Sequence, residues 1–188
     1  MSRLSALSID ALPDDLKATM LAGENIMGFT PNDGLIMARA PEMLNAFLGL
    51  VQSIYQPSAL DNDLKKLLGL MTSSASGCQY CQAHTQYGAL KHGITEQKIA
   101  AIWEYQTSDL FSPSEREALE LARNAALVPN AVTDEQFTRL KVHFNEVQIV
   151  EIVGVISLFG FLNRWNATFK TDIESAPAMA SAKFTSIS

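Results

Sequence analysis

Residues 72–93 read TSSASGCQYCQAHTQYGALKHG and hold both cysteines of the chain and two of its three histidines. The SSASG turn delivers Cys78 to the start of a helix predicted from about Gln79 to His92, with Gly93 as its C-terminal stop. Residues three apart lie on neighbouring parts of one helical face, so Cys78, Cys81 and His84 form a slanting row. A Cys-x-x-Cys pair at a helix start suits thiol–disulfide chemistry. The helix N-terminus favours the thiolate, and the second sulfur is within reach to close a disulfide. A histidine one turn further on accepts or relays the proton. The residues alone leave two other readings open. The cysteines also fit as small buried hydrophobes. Cys78, Cys81 and His84 also supply three zinc ligands, with His143 having to fold back as a fourth.

Outward from this stretch the pattern is helical in both directions. Asp61 or Asn62 caps the preceding helix, whose Leu64, Leu67, Leu68 and Met71 recur at helical spacing. Upstream, helices are predicted over Leu12–Met27 with Gly28 as stop, around Asp33–Arg39, and from Pro41 to about Gln56. Downstream, Thr95 starts a helix expected to turn Ile99, Ile102 and Trp103 inward. Ser112/Glu115 and Thr133/Gln136 have capping-box spacing, and Asn145/Gln148 make a third such box. The last opens a helix through VQIVEIVGVISLFGFL, apolar nearly all round. It reads as the central core helix, because the uninterrupted apolar run from Ile152 to Leu162 is too short to cross a membrane. The tail from about residue 173 has weak periodicity and is expected to hang loose or pack on a neighbouring subunit. No period-two run stands out as a strand. The expectation is an all-α, single-domain bundle of about eight helices.

With 188 residues and no Pro/Gly/Ser-rich linker, the chain reads as one domain over 1–188. A net charge of −6 without a Lys/Arg cluster argues against nucleic acid as a partner. The first residues lack the pattern of a secretory signal, which predicts a cytoplasmic protein and, with it, a redox or metal role for the cysteines. A hydrophobic share of 47% predicts a homo-oligomer.

The segment SSASGCQYCQAHTQYGALKHGIT, with an apolar helix before it and an all-helical remainder after it, resembles the cysteine motif of the carboxymuconolactone decarboxylase and alkylhydroperoxidase D superfamily. GFTPN, FSPSEREAL and FLNRWN resemble segments of its peroxidase-related members. The resemblance implies an all-α bundle assembled as a trimer or hexamer, with a hydroperoxide as substrate. An external dithiol or thioredoxin-like protein is the implied reductant, and no organic cofactor or metal is implied. It assigns Cys81 as the peroxidatic thiolate, Cys78 as the resolving partner, His84 as the base and Tyr80 as pocket lining. A lactone decarboxylase and a non-catalytic redox-sensing oligomer are the alternatives.

Two features depart from the family pattern. Only Gln82 and Ala83 separate Cys81 from His84, where the usual motif has three residues, and one residue rotates a helical side chain by about 100°. The family's relay glutamate, about three helical turns before the first cysteine, falls here in LKKLLGLMTSS, and no acid lies between Asp63 and Cys78. Glu151, set in the most apolar helix, is then the candidate relay carboxylate. A salt bridge, for instance with Arg164, is its plainer explanation.

Overall fold

The computed structural model of the protein describes residues 1–185. Among these there are ten α-helices and no strand: α1 Asp14–Met27, α2 Asn32–Met37, α3 Pro41–Tyr55, α4 Asn62–Ala75, α5 Gln79–His92, α6 Glu96–Ala100, α7 Pro113–Ala125, α8 Asp134–His143, α9 Glu146–Phe169 and α10 Ser175–Thr185. The predicted starts and stops have clear local causes. Gly28 and Gly93 end α1 and α5 with φ of 89° and 104°, a left-handed conformation that costs glycine little. All three capping boxes form, at α7, α8 and α9, so each helix start satisfies its own exposed N–H groups.

The centre of the bundle is α4, which packs on α5, α7 and α9. An unbroken run from Leu67 to Ser73 is buried, and Gly69 lets the Phe159 ring of α9 approach so closely that a Cβ there would overlap it. The long apolar helix α9 was expected in that central place. It buries one face through Ile149, Ile152, Val155, Ile156 and Phe159, while Val147, Val150, Val153 and Phe161 are exposed. By length and composition alone it is the single described helix able to cross a membrane.

Trp103 also departs from expectation. It is 54% exposed, because α6 stops at Ala100 and the chain tightens into a 3-10 turn over Ala101–Glu104. At three residues per turn the side chain swings away from the face that holds Ile99 and Ile102. The tail is not loose over its described part. Residues 175–185 form α10, which packs along α5, and Lys183 pairs with Glu96. A second, smaller core joins α1, α2 and α3 around Leu16, Met20, Met37 and Leu44, with Trp165 of α9 against it. Cys78, Tyr80 and Cys81 form a buried group of their own, touching Leu162.

Candidate active site

The start of α5 fixes the cysteines. Cys78 is its N-cap and accepts the backbone N–H of Cys81 on its sulfur at 3.3 Å. Both residues are free thiols, 3% and 2% exposed, and their sulfurs share a hydrogen bond 2.8 Å long. The two thiols cannot ionise together at that separation, so one negative charge belongs to the pair. The structure favours it on Cys78. The thiol of Cys81 and the N–H groups at the helix start hold Cys78 below its ordinary value against the cost of burial. The bond to Cys78, burial and the charges of Cys78 and Asp33 push Cys81 up, and the amide of Asn166 offsets part of this.

Around the pair, side chains from four distant parts of the sequence converge. From α9, Asn166 Nδ2 lies 3.6 Å from the Cys81 sulfur and donates to Asp33 Oδ2 at 3.2 Å. From α2, the backbone N–H of Asp33 donates to the Tyr80 hydroxyl at 3.4 Å. Tyr80 donates to Glu174 Oε1 at 2.9 Å, and His84 Nε2 lies 2.6 Å from Glu174 Oε2. The backbone N–H of Asn32 adds a bond of 2.5 Å to Glu174 Oε1. The Tyr80 and His84 rings stack at 4.0 Å, and Phe29 meets His84 edge-on.

The carboxylate that meets His84 and Tyr80 is Glu174. Glu174 sits in the segment between α9 and α10, and its side chain is only 10% exposed. Burial works against its ionisation, yet the bond and charge of His84 and the N–H of Asn32 hold it below the ordinary carboxylate value. Burial, then the charges of Asp33 and Glu174, keep Tyr80 protonated by raising it far above a free phenol. The sequence carried one weak signal for Glu174: an acid next to an otherwise small-residue and apolar tail. Nothing in the GFTPND stretch marked Asp33 as a neighbour of the cysteines.

The remaining candidates fall elsewhere. Glu151 does not reach the thiols. It lies four turns before Asn166 on α9, at about 1.5 Å of rise per residue, and accepts bonds from Ser58 Oγ at 2.7 Å and Leu60 N at 2.8 Å. Its partner is this loop rather than Arg164. His143 is exposed at the end of α8, away from a zinc set, and His92 pairs with Asp63 at 3.2 Å. Among the described residues no group of three or more His, Cys, Asp or Glu side chains is arranged to hold a metal ion. His84 makes no described hydrogen bond to either sulfur. Its ring is turned to Glu174.

Residues 41–124, which include α3 to α6 and most of α7, match the model of the carboxymuconolactone decarboxylase family. The chain is 33% identical over 129 residues to the uncharacterized protein YdfG of Bacillus subtilis (strain 168), covering 68% of this chain and 84% of that one. A crystal structure of a cysteine-to-alanine variant of the debrominase Bmp8, in complex with 2,3,4-tribromopyrrole, superposes with a TM-score of 0.89 at 32% identity over 96% of both chains. An uncharacterized peroxidase-related protein from Ralstonia eutropha JMP134, with an alkylhydroperoxidase AhpD core, shares the fold at a TM-score of 0.83 and 22% identity, over 94% of both chains.

Proposed function

Because the chain belongs to the carboxymuconolactone decarboxylase family and its alkylhydroperoxidase D-like superfamily, we propose that it is a dithiol-using oxidoreductase that reduces hydroperoxides. The observation that carries this reading is the pair of buried thiols 2.8 Å apart at the start of α5, one of them favoured as a thiolate. In the first step Cys81 attacks the terminal peroxide oxygen, forming a sulfenic acid and releasing an alcohol. Its proton passes to the adjacent Cys78 thiolate along the short hydrogen bond between the two sulfurs. Cys78 then attacks the Cys81 sulfur, expelling water and closing the disulfide. Overall, ROOH and two thiols give ROH, water and one disulfide. An external dithiol restores the thiols.

Glu174 and His84 are the relay for the protons that leave the pair and reach the departing oxygens. Asp33 and Glu174 make the surroundings acidic, which disfavours an anionic lactone and so the decarboxylase alternative. The near-complete burial of both sulfurs favours a small electrophile. The exposed apolar face of α9, with Val147, Val150 and Val153, supports a homo-oligomer as the working form.

The test is dithiol-dependent peroxide consumption, with sulfenic acid trapped chemically in single-serine variants. The expected result is trapping at Cys81 in Cys78→Ser, none in Cys81→Ser, and no turnover in either. Full activity in the double serine variant would eliminate the mechanism, and trapping at Cys78 would reverse the two roles.

A second reading rests on the similarity to Bmp8 over nearly the whole chain. The same pair would reduce a halogenated heteroaromatic. ArBr and two thiols give ArH, HBr and one disulfide, so the electron count is identical and Cys81 attacks bromine instead of oxygen. Bromide release from a bromopyrrole, measured beside the peroxide assay, separates the two substrates.

A further inference from the structure

We infer that Asp33 is a positioning residue that sets the redox poise of the Cys78/Cys81 couple, its carboxylate tied to the Cys81 sulfur through the amide of Asn166. The inference rests on the dithiol reading above. It adds a residue outside the relay and a property other than proton transfer.

The geometry is specific. Asn166 is 2% exposed, and its single Nδ2 is shared between the Cys81 sulfur and Asp33 Oδ2. Its Oδ1 is buried without a partner, so the amide is not oriented by its own oxygen. The bond to Asp33 orients it instead. Asp33 Oδ1 in turn accepts the N–H of Gly34 at 2.7 Å, and none of the salt bridges among the described residues involves Asp33. The charged and titratable groups facing the thiols are therefore Asp33 from α2, Tyr80 and His84 from α5, and Glu174 from the segment before α10. Glu174 has His84 as a partner. Asp33 has no cation to cancel it.

An uncancelled carboxylate beside two thiols acts unequally on the two redox states. The couple is a disulfide plus two electrons and two protons, in equilibrium with two thiols. The disulfide carries no charge, whereas the reduced pair carries one negative charge once a proton has left. Asp33 destabilises that charged reduced state and so shifts the couple towards the disulfide. The pair becomes the stronger reductant. The effect is present where the pair is ionised and fades where both thiols are neutral.

The measurement is the equilibrium with glutathione: the disulfide and two glutathione thiols give the dithiol and one glutathione disulfide. It needs no peroxide. At about pH 9, where a thiol of ordinary pKa is largely ionised, Asp33→Asn is expected to move the constant about tenfold towards the dithiol. That is about 30 mV for this two-electron couple. The shift should shrink as pH falls through the lowered Cys78 value, where the pair becomes neutral. Asp33→Ser, whose hydroxyl can still accept the Gly34 N–H, must shift it in the same direction, and Asp33→Glu must leave it within about twofold of wild type. No shift in the folded Asn or Ser variant, or a shift that persists unchanged once the pair has been titrated to neutral, would overturn the inference. A couple that responds as expected yet reduces no peroxide would keep the inference and remove the proposed substrate.

Discussion

Both ends of α9 are tied to the bundle by buried polar groups, and the two ties are built differently. Near its start, Lys65 of α4 is fully buried, and its Nζ donates to Ile54 O at 2.7 Å, Gln56 O at 3.2 Å and Ser58 Oγ at 2.7 Å. The Ser58 hydroxyl donates to Glu151, which also accepts the N–H of Leu60. Every donor of the ammonium has an acceptor. Near the end of α9, Asn163, Asn166, Trp165 and neighbouring Ser73 all bury a side-chain polar atom without a partner. There Asn163 donates to Thr72 O and Ser76 Oγ, and Asn166 links the Cys81 sulfur to Asp33. A saturated network has nothing left to offer a substrate and serves to hold α3, α4 and α9 together. The unsaturated one keeps unpartnered atoms, among them the Oδ1 of Asn166, whose Nδ2 bonds the Cys81 sulfur.

The comparison can be broken most directly at the saturated end. Lys65→Ala removes a buried side chain with three bonds to partly exposed acceptors and leaves a cavity, and is expected to cost about 3 kcal/mol of stability by denaturant titration. Its kcat per folded molecule should match wild type. A fall in kcat without loss of stability would show that the knot is not structural.

Glu174→Gln should do the opposite. The amide keeps the size of the side chain and removes the base, so turnover is expected to fall roughly a hundredfold, with stability changed by about 1 kcal/mol or less. A variant with full turnover would take Glu174 out of the relay.

Glu151→Gln is the matched control. It keeps one acceptor for Ser58 and Leu60 and should cost about 1 kcal/mol with no effect on rate. A loss of peroxide reduction here, measured in the same assay, would return Glu151 to the site.

The smallest expected effect is on the acid limb of stability. Burial raises the Glu174 carboxyl, but its bond with His84 and the Asn32 N–H leave it below the ordinary value. Its ionised form therefore stabilises the fold fully above the unfolded pKa of about 4.3 and loses that contribution as pH falls through the lower folded value. Melting temperatures of wild type and Glu174→Gln should converge as pH is lowered through this range. Parallel curves would mean that the carboxylate contributes nothing to stability.

The amino-acid sequence by itself determined most helix starts and stops, because their signals are local, though it led to an expectation of about eight helices where the described residues form ten, and it marked neither the early end of α6 nor α10. Three capping boxes, the glycine stops at Gly28 and Gly93, and the start of α5 at Gln79 all act within one turn of chain. It also determined the thiol pair, since Cys-x-x-Cys at a helix N-cap brings two sulfurs together whatever surrounds them. Tertiary structure alone decided the rest. Which apolar helix is central depended on the number of faces each helix finds covered, and α4 is enclosed by three neighbours while α9 keeps one face in solvent. Which carboxylate meets His84 depended on how the chain returns after α9. Glu174 is 90 residues from His84, and Asn166 is 133 from Asp33. No periodicity encodes contacts of that separation. They exist because α10 lies along α5 and carries Glu174 to the stacked rings of Tyr80 and His84.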